Sequence, residues 1–220
     1  MKLQIKNFKF HLDLNEKINV LIIENKKEYR EVVDSFVNKL DIKDGKILLF
    51  DRNELIAPSK FLFTFNDYYS FDINKLCLTK MYKKIKEISL LEYSDESFKI
   101  KSEIENFIYK IISQYDLYLE IDSEMDILDL LKSVKLKIKN YENLDLDRII
   151  NYMNIINELF GIKNFIFINF KQNFSEKEII DFYEYVIYND FNIVLVESIT
   201  ISKLQKESIF IIDDDLCEIY

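Results

Sequence analysis

An α/β fold is what this sequence predicts, with a mostly parallel sheet in a head domain and a helical leg inserted into it. Three observations carry the expectation. Continuous apolar runs of strand length recur at Ile18-Asn-Val-Leu-Ile-Ile23, Asn164-Phe-Ile-Phe-Ile-Asn169 and Phe191-Asn-Ile-Val-Leu-Val196. Such runs belong to strands buried on both faces, as in parallel sheets covered by helices. Stretches of helical period separate them, and from about Ile73 to Tyr118 that period continues with no strand signal.

The elements follow in chain order. Phe8, Phe10, Leu12 and Leu14 alternate with polar residues, the period of a half-buried strand. After the apolar run at Ile18–Ile23, Tyr29, Val32, Val33, Phe36, Val37 and Leu40 fall at helical spacing. The Asp44-Gly45 turn leads into a strand at Lys46–Phe50, and Phe61-Leu-Phe-Thr-Phe65 reads as another. Leu76, Met81, Ile85 and Ile88 mark a first long helix. Phe98, Ile104, Phe107, Ile108, Ile111, Ile112 and Tyr115 make a stronger stripe after it. An acidic segment and a short amphipathic helix follow, then a lysine-bracketed strand around Lys135–Lys139. A helix near Asp145–Phe160 ends at Gly161, which suits a helix terminus. Ser175-Glu-Lys-Glu178 is a capping box opening a helix to about Tyr188, and Ser208–Ile212 reads as the last strand. The expected domains are 1–72 with 136–220 as the head and 73–135 as the leg.

Composition removes most enzyme classes. One histidine, His11, rules out a histidine-based triad or a multi-histidine metal centre, and His11 itself is expected on the solvent side of its strand. Two glycines, Gly45 and Gly161, cannot build a phosphate-binding loop or a dinucleotide turn. Cys77 and Cys217 are isolated, so no disulfide framework is expected. No run nears the roughly 20 apolar residues that span a bilayer, and the N-terminus has no secretory pattern, so the protein is expected in the cytoplasm.

What chemistry remains concentrates at Glu120-Ile-Asp-Ser-Glu-Met-Asp126, followed by Asp129. Oxygen donors this crowded repel one another unless a cation lies among them. Calcium accepts such irregular all-oxygen cages more readily than magnesium. The bland reading is a capped helix, with Asp122 or Ser123 as the cap and Glu124 and Asp126 complementing the dipole. Capping, however, needs one or two such residues and here there are five. Asp213-Asp214-Asp215 is read instead as an acidic, solvated strand end.

The net charge of −9 weighs against a nucleic-acid partner, yet the thirty basic residues are unevenly spread. Lys80, Lys83, Lys84 and Lys86 share the first long helix. Lys132, Lys135, Lys137 and Lys139 follow the acidic segment, and Lys26, Lys27 and Arg30 open the first helix of the head. Solvated helix faces explain most such runs.

The order of these parts resembles the short form of the Csn-two family, adaptation proteins of type II-A CRISPR loci. The strings carrying the resemblance are Val20-Leu-Ile-Ile-Glu24, Leu119-Glu-Ile-Asp122 with Asp126-Ile-Leu-Asp-Leu-Leu-Lys-Ser-Val134, and Phe165-Ile-Phe-Ile-Asn169 with Phe174-Ser-Glu-Lys-Glu178. Ile193-Val-Leu-Val-Glu197 completes the set. The resemblance implies a head related to P-loop ATPases but lacking the nucleotide motif, and a homotetrameric ring. It also implies calcium as the bound ion and double-stranded DNA, especially free ends, as the ligand. The partners would be the integrase proteins and RNA-guided nuclease of the same locus. By that resemblance Glu120, Asp122, Glu124 and Asp129 are the calcium ligands, with Asp126 a further candidate. Ser123, Glu124 and Asp126 compete for the middle position.

A tetramer would carry four times the −9 charge, so DNA could enter only if lysines face inward and carboxylates are metal-bound or turned out. Calcium would then fix the leg angle that lets Lys80, Lys83, Lys84, Lys132, Lys135, Lys137, Lys26, Lys27 and Arg30 line the hole. The expected function is a non-catalytic DNA-binding ring for spacer acquisition. The alternative is an adaptor whose acidic surface docks the basic integrase and nuclease, with DNA contact incidental.

Overall fold

The structure, a computed structural model, describes residues 1–41, 44–119, 125–139 and 145–219. In chain order its elements are β1 (Lys2–Ile5), β2 (His11–Asp13), β3 (Ile18–Ile23), α1 (Lys26–Asn38), β4 (Ile47–Asp51), β5 (Glu54–Ile56) and β6 (Leu62–Phe65). Then come α2 (Ile73–Glu92), α3 (Ser94–Ile112), α4 (Ile127–Ser133), α5 (Leu146–Phe160), β7 (Asn164–Ile168), α6 (Glu176–Tyr188), β8 (Asn192–Glu197), β9 (Ser208–Ile212) and β10 (Glu218–Ile219). The chain divides into two compact units, Met1–Phe71 with Asn143–Tyr220, and Asp72–Glu142.

The first unit is α/β with two sheets. A six-stranded sheet has the order β10-β9-β3-β8-β7-β6, parallel except for β10. Its inner strands are the continuous apolar runs, and β3 and β7 are buried along their whole length. The sequence reading expected one largely parallel sheet. A separate antiparallel sheet, order β2-β1-β4-β5, corrects that expectation. It pairs short early strands, and its apolar side joins the core rather than extending the parallel ladder. Leu3, Ile5, Leu12, Ile47 and Leu49 meet Val32 and Phe36 of α1, and Leu21, Ile23, Val194 and Val196 of the larger sheet. Each such side chain contributes about 1.5–3 kcal/mol on burial.

On the larger sheet's aromatic face, Phe65 and Phe167 stack with centroids 5.0 Å apart, and Phe167 meets Phe182 of α6 edge-on at 5.6 Å. Two expected boundaries hold through their caps. Gly161 takes φ 71° at the end of α5, a left-handed position suited to glycine. Ser175 and Glu178 form the capping box of α6.

Two predicted strands differ. The alternation of Phe8, Phe10, Leu12 and Leu14 is buried as expected, yet the ladder covers only His11–Asp13. The amides of Lys9 and Phe10 donate instead to the Glu218 carboxylate, at 3.0 and 3.2 Å. The strand expected around Lys135–Lys139 is irregular backbone. Its alternation is satisfied by side chains: Asn74 accepts from Ile138 N at 2.7 Å and donates to Ile138 O at 2.9 Å, while Tyr82 Oη donates to Leu136 O at 2.8 Å.

The second unit is helical among its described residues. Asp72 caps α2 through Asn74 N and Lys75 N. α3 buries none of its residues, and its predicted stripe is largely open, with Phe98 73% and Phe107 64% exposed. Among the described residues no helix is long and apolar enough to cross a membrane.

Candidate metal and nucleic-acid sites

Of the five predicted metal ligands, Glu120, Asp122 and Glu124 lie outside the described residues. Asp126 and Asp129 sit at the start of α4 and are held by local geometry. Asp126 is the N-cap, accepting from Leu128 N at 2.7 Å, and Asp129 Oδ2 accepts from Asp126 N at 3.1 Å. This reciprocal capping satisfies helix-end amides that would otherwise have no partner. The capping role thus falls on Asp126 rather than on Asp122 or Ser123.

Asp126 has a second partner. Lys86 of α2 reaches its Oδ2 at 2.5 Å. The Lys86 hydrogen bond leads the causes that hold the Asp126 carboxyl below the usual carboxylate range, aided by the Leu128 amide and opposed by slight desolvation. Both side chains are more than a third exposed, so solvent screens the pair. Lys132 approaches Asp129 at 3.6 Å.

The donor chemistry suits a hard cation, because carboxylate oxygens keep lone pairs after accepting one hydrogen bond. Among the described residues, no three His, Cys, Asp or Glu side chains converge on one point. Calcium takes 6–8 oxygens, so Asp126 and Asp129 alone do not complete a calcium shell. Beside Asp126, an apolar cavity of about 290 Å³ opens between α2, α3 and α4, with Phe98, Met125 and Leu130 in its wall.

The basic residues form separate groups. Lys80 and Lys83 are exposed one turn apart on α2, with Lys84 half-buried beside them. Lys132, Lys135 and Lys137 are exposed. Lys135 takes φ 52° where α4 ends, and its amide donates to Lys132 O at 3.0 Å. In the first unit Lys26, Lys27 and Arg30 are exposed around the first turns of α1. Asn25 caps that helix through Lys27 N at 3.1 Å and Glu28 N at 3.0 Å. Cations in the first turn of a helix oppose its dipole, as Lys26 and Lys27 do, while the charges of Lys27 and Arg30 favour the ionised form of Glu31 on the same helix.

Other singled-out residues have structural roles. Asp213 Oδ1 accepts from Cys217 N at 2.7 Å and Asp215 N at 3.0 Å, closing the turn between β9 and β10. His11 is exposed. One group escaped sequence reasoning: Lys171 after β7, Glu197 at the end of β8 and Glu207 just before β9 are buried. Only the acidic end of the run Ile193–Glu197 hinted at it.

A family model described as CRISPR-associated protein (Cas_Csn2) matches residues 38–216, well over half of the chain. No curated protein matches the chain.

Proposed function

The chain belongs to the CRISPR-associated family designated Cas_Csn2, whose members serve CRISPR adaptation, and we propose that it does so as a non-catalytic DNA-binding ring. In this reading it is a homotetramer that holds double-stranded DNA without reading bases and loads from free ends. It works beside the integrase proteins and RNA-guided nuclease of the locus. Its head is a P-loop-type fold without the nucleotide motif, and its second unit is the leg.

Family membership carries the reading, and the surface supports it. Lys80 and Lys83 offer exposed charge one turn apart, which suits phosphate contact. The open apolar side of α3 is the kind of surface that self-association covers. Lys26 and Lys27 oppose the dipole of their own helix, so a phosphate partner gives them a use. Asp126 and Asp129, with Glu120, Asp122 and Glu124, would hold calcium. When bound, the ion supplies positive charge to the acidic segment. Asp126 and Asp129 meanwhile keep the first turn of α4 in place by capping it.

A gel-shift comparison of linear and covalently closed circular DNA, each with calcium and with chelator, tests this. Retention of linear DNA alone, and only with calcium, is expected. Equal retention of both forms would replace the ring with an open basic surface. The net charge of −9 favours a second reading, an adaptor docking basic partners. Absence of DNA retention together with capture of the integrase would establish that one.

A further inference from the structure

Two carboxylates and one ammonium are buried together: Glu197 ends β8, Lys171 follows β7, and Glu207 immediately precedes β9. Lys171 Nζ lies 2.8 Å from Glu207 Oε1 and 3.0 Å from Ser202 O, with the lysine and glutamate side chains 2% and 0% exposed. Glu207 is fully engaged: Tyr183 Oη donates to its Oε1 at 2.6 Å, and Leu204 N to its Oε2 at 2.9 Å. That pair is electroneutral. Glu197, the last residue of β8, is also fully buried and has no cation of its own. Its Oε1 accepts from Lys171 N at 2.9 Å, while its Oε2 is buried without a hydrogen-bond partner. Gln172 lies close enough to favour the charged form. Its amide, however, donates to Asn169 Oδ1 at 3.1 Å and Ser198 Oγ at 3.4 Å.

An unpaired buried carboxylate is costly, and taking up a proton removes the cost. The groups facing Glu197 are poor counter-charges. Tyr29 from α1, Tyr68 from the segment after β6 and Tyr183 from α6 are all raised, first by burial and further by Glu197 itself. Lys171 is paired with Glu207, and its charge offsets only part of the effect of burial on Glu197. Burial is correspondingly the main cause raising Glu197 to about 7, against the opposing Lys171 amide.

We propose that Glu197 is a proton-operated latch: it stays neutral while the segments 169–173 and 198–207 are closed over it, and loses its proton when they open. Both segments are tied to it through Lys171, whose amide holds Glu197 and whose ammonium holds Ser202 and Glu207. The folded-state affinity for the proton is raised above that of an open glutamate. Closure is therefore favoured fully below the open value of 4.5, weakened as pH rises from there, and constant above about 7.

Hydrogen exchange of the two segments, corrected for the intrinsic pH dependence of amide exchange, tests the latch in the full chain. Opening should increase about tenfold per pH unit between roughly pH 4.5 and 7, then level off. Glu197→Gln should remove that slope, and parallel profiles for the two proteins would overturn the proposal. Carboxyl-carbon NMR of the unmutated protein decides independently of whether the variant folds. One glutamate should titrate near neutrality, and the latch fails if every glutamate titrates in the ordinary carboxylic range.

Discussion

α6 and α3 are both helices with an apolar stripe, but they meet opposite fates. α6 buries Ile179, Phe182, Tyr183 and Val186 against the parallel sheet, whereas α3, the longer of the two, buries nothing. A stripe at helical spacing therefore specifies a face and says nothing about what covers it. In the first unit the cover is the chain's own sheet. For α3 the proposed cover is a second copy.

The comparison breaks or sharpens at single residues. Phe182→Ala should cost about 3–5 kcal/mol in urea unfolding, because a ring with no solvent exposure leaves a cavity. Phe107→Ala should change monomer stability by no more than about 0.5 kcal/mol while weakening self-association in sedimentation. A large loss of monomer stability from that second change would show that α3 is covered within its own chain. Lys171→Ala should also cost about 3–5 kcal/mol, since it strands the Glu207 charge in the interior. Ser175→Ala, removing the cap of α6, should cost about 1 kcal/mol in the same assay. Lys80→Glu with Lys83→Glu should likewise leave stability within about 0.5 kcal/mol of the parent protein. That pair should nonetheless weaken DNA retention and flatten the log–log salt dependence by about 0.9 per lost phosphate contact. An unchanged slope would remove the α2 lysines from the interface.

The strands β3, β7 and β8 were legible because burial on both faces leaves a continuous apolar run, and α6 because its capping box is local. The antiparallel sheet was harder to see. Its edge strand β5 is three residues without a buried one and carries no usable period, and β10, at the edge of the larger sheet, is only two residues long. Around Lys135–Lys139 the alternation was real, but its hydrogen-bond partners are the side chains of Asn74 and Tyr82. No local pattern reveals a partner more than fifty residues away. The acidic segment was conspicuous as composition. The Lys86 contact to Asp126 was not, since it depends on how α2 and α4 meet. In sequence Glu197 is only the end of an apolar run; its lack of a counter-charge of its own is a property of three dimensions.

The place of β3 has a consequence for biosynthesis. This fully buried strand, apolar but for Asn19, lies between β8 and β9, and Ile18 waits for Ile193, about 175 residues further along the chain. At roughly 5–20 residues per second, translation takes about 10–35 s to supply that neighbour. Throughout that interval the nascent chain carries an unpaired edge on each side of β3. The yield of folded protein is therefore expected to change with the pace of translation and with the supply of chaperones able to shield the strand.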